Sequence, residues 1–455
     1  MSEREQITKK TDFTSGAILG PLMKFTLPII GALILQALYG AVDLLVVGQF
    51  STAAAVSAVA TGSQVLHTLT LIITGLAMGI TIIIGQQIGQ KKTEEVGHTV
   101  GTGICLFTIV SILIMVIMMF TSPAFVSFLN APEEAFDATV SYVMICSGGI
   151  LFIAAYNILG SIFRGIGDAK TPFIAVLIAC IGNIVLDVVF VAKFHMGASG
   201  AALATVLAQA VSVVLSLFLI KKRGVPFVFS KKHIRLNRTI AVRILKLGFP
   251  CALQDTLVSI SFLAIMAIVN SLGVIASAGV GVAEKLCIFI MLVPSAYMQS
   301  ISAYVAQNIG AGQRQRAKKG MLYGMATSLA FGIVLGYLSF FHGNLLAHIF
   351  SSEPEVIAAA ADYLKGYAID TLFTSFLFCF MGFFNGCGKT TFVLIEGIIG
   401  AFGVRIPVSY FFSQAAVVSL FHVSLATPSS TIVQIILCTI YLLVLERRSS
   451  RRPST

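Results

Sequence analysis

The chain has 455 residues, 57% of them hydrophobic and only 11% charged, with a formal net charge of +11. Soluble domains carry about 25% charged residues, so this composition excludes a soluble globular protein. The apolar runs far exceed the roughly 10-residue strands of an outer-membrane barrel, which leaves helical spans. Trp is absent, so an aromatic belt must rest on Tyr and Phe. The eight cysteines fall mostly in apolar runs without metal-like pairing and read as small buried hydrophobes. Residues 1–15 are polar and charged, without the short apolar core of a cleavable signal.

Stretches of about 20 apolar residues predict about twelve spans, with limits near 20–48, 53–87, 95–121, 135–162, 172–192, 198–220, 240–270, 275–309, 317–343, 356–382, 391–413 and 416–445. Basic residues alternate with them. Arg4, Lys9, Lys10 and Lys24 precede the first span, Lys91 and Lys92 follow the second, and Arg164 and Lys170 follow the fourth. Lys221, Lys222, Arg223, Lys231, Lys232, Arg235 and Arg238 crowd the middle connection. Arg314, Arg316, Lys318 and Lys319 follow the eighth span, Lys389 follows the tenth, and Arg447, Arg448, Arg451 and Arg452 end the chain. With twelve spans all of these fall on one side, and Lys193 is the exception opposite. The positive-inside rule puts both termini in the cytoplasm. Such basic runs suit topology and anionic headgroups, so no nucleic-acid partner is expected.

Two spans carry acids that need an explanation. In the first, Gln36, Tyr39 and Asp43 are spaced i, i+3, i+7 and share one helical face. In the fifth, Asn183 and Asp187 are one turn apart. A carboxylate at mid-membrane costs roughly 2.5–3.5 kcal/mol on insertion scales, and such groups by default mark function. Two carboxylates in one partly dry cavity cannot easily both ionise, so the pair is expected to take up and release protons. Oxygen ligands from Asp, Asn and Thr equally suit Na⁺. Asp43 and Asp187 are therefore expected to form the ion site of a transporter.

The chain also repeats itself. Lys24-x-x-x-Pro28 recurs as Lys246-x-x-x-Pro250, an offset of 222. Gly85-Gln-Gln-Ile-Gly89 recurs as Ala306-Gln-Asn-Ile-Gly310, and Phe163-Arg-Gly-Ile-Gly167 as Phe384-Asn-Gly-Cys-Gly388, both offset by 221. Two halves of six spans have the same orientation, which predicts a parallel-repeat transporter with a pseudo-two-fold axis along the membrane normal. The expected parts are an N-terminal lobe at 1–220, a cytoplasmic linker at 221–239, and a C-terminal lobe with a basic tail at 240–455. At an offset of 222, Asp43 matches Ile265, Asn183 matches Arg405 and Asp187 matches Ser409. The second half has lost both acids.

The paired Gln-x-x-Gly ends, the Arg164-Gly-Ile-Gly-Asp-Ala-Lys-Thr-Pro172 stretch and the Pro28…Asp43…Gly48 span, within two six-span halves, resemble the multidrug and toxic compound extrusion (MATE) family. The resemblance covers about residues 14–446 and is nearest the bacterial and archaeal DNA-damage-inducible-type branch. It implies an all-α, two-lobed inner-membrane antiporter that exports amphipathic, often cationic, organic compounds in exchange for H⁺ or Na⁺. It implies a coupling cluster of Asp43, Asp187, Asn183, Tyr39, Asn157 and Thr205. Na⁺ would then sit at Asp43, Asn183, Asp187 and Thr205. Gln36, Tyr39 and Asn157 are the substrate-cavity candidates, and Pro28 the site of a gating bend. No cofactor or resident metal is implied, and the carrier is expected to act as a monomer in the bilayer.

A related branch uses carboxylates of the seventh and tenth spans, and the sequence departs from that pattern. Asp255 lies early in the seventh span, and Asp370 about one turn before the expected acid. Glu284 sits beside Lys285, and Lys365 lies five before Asp370, so local charge compensation is expected for these acids; Glu396 is a further candidate. Arg405-Ile-Pro407 reads as structural, with Arg405 near a proline break. The alternative reading is a flippase for lipid-linked oligosaccharide, for which only Lys193, Lys285, Lys365 and Arg405 are cavity cations. An enzyme is not expected. Gly382–Thr390 has Phe383 where a phosphate loop needs Gly. Gly165-Ile-Gly-Asp168 lacks the Tyr-Asp partner motif of an intramembrane aspartyl protease.

Overall fold

The computed structural model describes residues 12–415 and 418–450. Arg4, Lys9, Lys10, Arg451 and Arg452, and with them both chain termini, lie outside the described residues. Regular structure among the described residues is helical. The first half contains α1 (Leu19–Phe50), α2 (Ala53–Gly89), α3 (Thr93–Phe128), α4 (Phe136–Gly148), α5 (Ile150–Ile166), α6 (Lys170–Asp187) and α7 (Gly197–Arg223). The second contains α8 (Arg238–Asn270), α9 (Val274–Gly310), α10 (Arg314–Phe341), the short α11 (Gly343–Ala347), α12 (Pro354–Gly386), α13 (Thr390–Ile398), α14 (Ile406–Ser413), the short α15 (Leu420–Ser424) and α16 (Ala426–Ser450). Eleven of these segments are long and apolar enough to cross a membrane, and 12 if the bent pair α4–α5 is one span. The chain is a multi-pass membrane protein.

Helix starts follow local chemistry. Thr52 caps α2 by accepting from the Ala55 amide at 3.3 Å. Glu94 and Glu95 fill the first turn of α3, where the helix dipole favours negative charge. Asp168 accepts from the amides of Lys170 at 3.0 Å and Thr171 at 3.1 Å, and from the Thr171 hydroxyl at 2.5 Å. It thus closes the open amides at the start of α6, which accounts for the Gly-Ile-Gly-Asp pattern without any protease chemistry.

Three spans differ from simple rods. The expected fourth span at 135–162 bends by 51° between α4 and α5. Gly148 and Gly149 occupy the corner, and a Cβ on Gly149 would run into the Val206 methyls. The expected fifth and eleventh spans each widen into a π-helix, at Val188–Lys193 after α6 and at Ile399–Arg405 before α14. Pro407, second residue of α14, has no N–H to donate and crowds the turn before it, which favours the wider spacing there.

The described residues divide into two compact units, 12–252 with Ala306–Gln313, and Leu253–Val305 with 314–415 and 418–450. In the first unit, Ile73, Ile80 and Ile84 of α2 pack with Phe107, Ile153, Ile162 and Ile244. Gly75 and Gly79 lie against Ala252 and the Ile244 carbonyl, so α2 and the start of α8 meet backbone to backbone. That contact explains why residues 238–252 belong to the first unit rather than the second. The connection at 221–239 is tied down as well. Gly97 and Gly101 of α3 face the Val228 and His233 carbonyls, and the His98 and His233 rings meet edge to face at 4.6 Å.

In the second unit, Ile265, Val269, Val280, Leu286, Tyr363, Leu364 and Tyr367 form one apolar cluster. Gly332 and Gly336 of α10 face Ser375 and the Ala368 carbonyl of α12. Outward faces of both units carry large apolar side chains, among them Leu45, Phe120, Phe128, Val274 and Phe411, as a lipid-facing surface requires.

Candidate functional site

Three helices bring the expected acids together. Asp43 of α1 is 3% exposed, and Asn183 and Asp187 of α6 are fully buried. Thr205 of α7 donates its hydroxyl to Asp43 Oδ2 at 3.0 Å. The one-turn spacing of Asn183 and Asp187 points both toward α1, where they interact with the Asp43 carboxylate. Asp43 Oδ1, both Asp187 oxygens and both amide atoms of Asn183 nonetheless make no hydrogen bond. Each such buried group costs several kcal/mol in an apolar medium.

The cluster therefore has a surplus of oxygen acceptors and lacks a positive donor. A proton on one carboxyl would turn it into a donor for the other. A small monovalent cation would find oxygens from Asp43, Asp187, Asn183 and Thr205, the ligand type that suits Na⁺. Ala201, Ala202 and Ala204 of α7 are buried, and such small residues let α7 approach its neighbours closely. Tyr142 and Cys146 of α4 are buried within electrostatic range of Asp43. Sequence reasoning passed over both, because Tyr and Cys in an apolar run read as packing.

The remaining candidates separate into layers. Tyr39, one turn before Asp43, donates its hydroxyl to the Val176 carbonyl of α6 at 3.2 Å. Gln36 donates to the Tyr156 hydroxyl of α5 at 2.6 Å. Tyr156 was not expected from the sequence. Asn157 is engaged elsewhere: Oδ1 accepts from Thr74 of α2 at 2.9 Å, and Nδ2 donates to the Ile153 carbonyl of its own helix at 2.8 Å. It ties α2 to α5 and makes no hydrogen bond to the carboxylate cluster. Pro28 lies inside α1, which runs unbroken from Leu19 to Phe50.

The acids of the second unit have different company. Lys365 pairs with Asp362 at 3.3 Å and not with Asp370. Asp362 also accepts from the Ser419 hydroxyl and the Phe421 amide, both at 3.1 Å. The Lys285 ammonium lies over the Phe350 ring, 6.0 Å from its centre, rather than on Glu284. The expected local compensation of Asp370 and Glu284 by these two lysines is therefore corrected. Residues five apart turn to different helix faces, whereas Asp362 and Lys365 are three apart. Asp370 and Glu396 are each 1% exposed.

The MatE family profile matches the chain twice, at residues 28–189 and 250–411. Both ends of the two matches are 222 residues apart, in agreement with the internal repeat. The probable multidrug resistance protein YpnP of Bacillus subtilis is 30% identical over 406 residues, covering 89% of this chain and 91% of its own. The multidrug export protein MepA of Staphylococcus saprophyticus is 22% identical, covering 85% of this chain and 86% of its own. A crystal structure of MATE in complex with MaL6 aligns with a TM-score of 0.90 at 19% identity, covering 96% of this chain and 99% of that one. The all-helical, two-lobed fold is that of MATE transporters, and the chain belongs to the MatE family.

Proposed function

We propose that the protein is a secondary active efflux antiporter of the cytoplasmic membrane, with both termini in the cytoplasm. It exports amphipathic, cationic organic compounds in exchange for H⁺ or Na⁺ bound at Asp43 and Asp187. The observation that carries this reading is the buried set of Asp43, Asn183 and Asp187, whose unpaired oxygens outnumber their donors. The names of the Bacillus and Staphylococcus relatives support multidrug efflux as the transport class.

In the cycle, the outward-facing carrier loads a cation at the two carboxylates. Loading removes negative charge and polar contacts, which weakens the hold on a cationic substrate and releases it outside. The lobes then rock inward, the cation leaves, and substrate rebinds. Exchange requires that cation and substrate disfavour each other, and that coupling is reciprocal. Each positive charge moving inward through about 100 mV supplies roughly 2.3 kcal/mol. Gln36, which donates to the Tyr156 hydroxyl, and Tyr39, which donates to the Val176 carbonyl, precede Asp43 along α1 and are suited to sense the substrate. A bend of α1 at Pro28, where the helix lacks one backbone bond, is suited to link cation loading to the cavity.

The test is dye efflux from proteoliposomes under imposed pH or Na⁺ gradients. Wild type is expected to respond to one of the gradients, and Asp43→Asn and Asp187→Asn to lose that response. Gradient-driven efflux retained in both variants would overturn the reading.

A further inference from the structure

The second unit buries charged side chains of its own, a guanidinium among them. Arg405 ends the π segment and is 6% exposed. Its Nη1 donates to Ser261 Oγ at 3.0 Å, and its guanidinium lies over the Phe262 ring, 4.6 Å from the centre. Tyr367, Asp370, Tyr363 and Glu396 each act on it electrostatically, and Glu284 acts on the same two tyrosines. Among the described residues Arg405 makes no ion pair within 4.0 Å. Both Glu396 oxygens, Asp370 Oδ1 and Arg405 Nε are buried without a hydrogen-bond partner.

The two acids thus act on the guanidinium without clamping it, much as two carboxylates would share a bound cation. The repeat offset places Arg405 at the position of Asn183. Where the first half has an amide beside its acids, the second has a permanent positive charge. Arg suits that task because it does not lose its proton in proteins, whereas a buried Lys readily does.

We propose that Arg405 is a built-in counter-cation. In the second unit it takes the place that an exchangeable H⁺ or Na⁺ takes in the first, keeps Asp370 and Glu396 out of ion exchange, and confines coupling to the first half. Arg405 is a positioning residue in this scheme, and the inference rests on the proposed coupling at Asp43 and Asp187.

The test uses the full-length protein carrying Asp43→Asn and Asp187→Asn, so that cation effects from the first half are absent. Thermal unfolding is followed in detergent with Na⁺ replaced by choline, at neutral and mildly acidic pH. The parent at neutral pH is expected to unfold at a temperature independent of Na⁺. Arg405→Gln is expected to unfold earlier and to regain several degrees on adding Na⁺ or acid. Adding Asp370→Asn and Glu396→Gln to Arg405→Gln is expected to restore the unfolding temperature and abolish the dependence. An Arg405→Gln form indifferent to both cations, or one that the two acid replacements fail to rescue, overturns the proposal. Failure of the efflux test on Asp43 and Asp187 alone would instead sink the antiport reading, because the unfolding measurements do not involve those carboxylates.

Discussion

In the first half, Asp43 takes a hydrogen bond from Thr205 and faces Asn183 and Asp187. In the second, the 222-residue offset puts Ile265 where Asp43 stands, and Ile265 packs with Val280, Leu286, Tyr363 and Tyr367 in an ordinary apolar cluster. The same offset takes Thr205 to Thr427, which is also buried. The halves share helix order and glycine-mediated packing, so duplication has preserved what holds the membrane fold together. They differ at a few buried polar positions, where Asp43, Asn183 and Asp187 of the first half are matched by Ile265, Arg405 and Ser409 of the second, and the proposed coupling and the proposed counter-cation both rest on that difference. In this protein the scaffold is read from the symmetry and the chemistry from its loss.

The comparison breaks most sharply if the two matched positions are exchanged in character. Ile265→Asp puts an unpaired acid among apolar side chains and is expected to cost about 3 kcal/mol, seen as a clear drop in unfolding temperature. Asp43→Ile removes a buried carboxyl with one unpaired oxygen and is expected to leave stability unchanged or raised while ending gradient-driven efflux. Equal destabilisation by both substitutions would show that the halves do not differ as argued. Thr205→Val tests the cluster more finely. It deletes the Thr205 donor to Asp43, a hydrogen bond to a carboxylate worth about 1.5–3 kcal/mol. At least a tenfold weaker response to the coupling cation should follow, measured as the half-saturating ion concentration in efflux. The smallest effect is expected at Asn157. Asn157→Leu loses the Thr74 bond between α2 and α5, a loss of about 0.6 kcal/mol, with ion dependence kept. A lost ion response in that variant would move Asn157 into the coupling cluster.

The core of the candidate site was legible because an acid in an apolar run is anomalous by itself. Asp43 and Asp187 needed no neighbour to be noticed, and Asn183 followed from one-turn spacing. Tyr156 was not legible, since a tyrosine among Ile, Leu and Ala looks like packing until Gln36 is seen to donate to its hydroxyl. Tyr142 and Cys146 were missed for the same reason. The wrong partner was assigned to Lys365 because proximity along the chain was weighed without the helical face, which selects Asp362. The fourth span read as continuous because hydropathy does not register direction, and only packing against Val206 shows the corner at Gly149.

By itself the sequence determined a helical membrane protein built from two matched halves, and that the acids at Asp43 and Asp187 have no counterpart in the second. Those are properties of periodicity and transfer free energy, which act residue by residue along the chain. Tertiary structure alone decided which polar atoms meet across helices. Thr205 reaches Asp43, Asn157 reaches Thr74 instead, and Arg405 reaches Ser261 and the Phe262 ring rather than an acid. Hydrogen bonds and charges act over a few ångströms in space, and positions far apart in the chain acquire such distances only when helices pack.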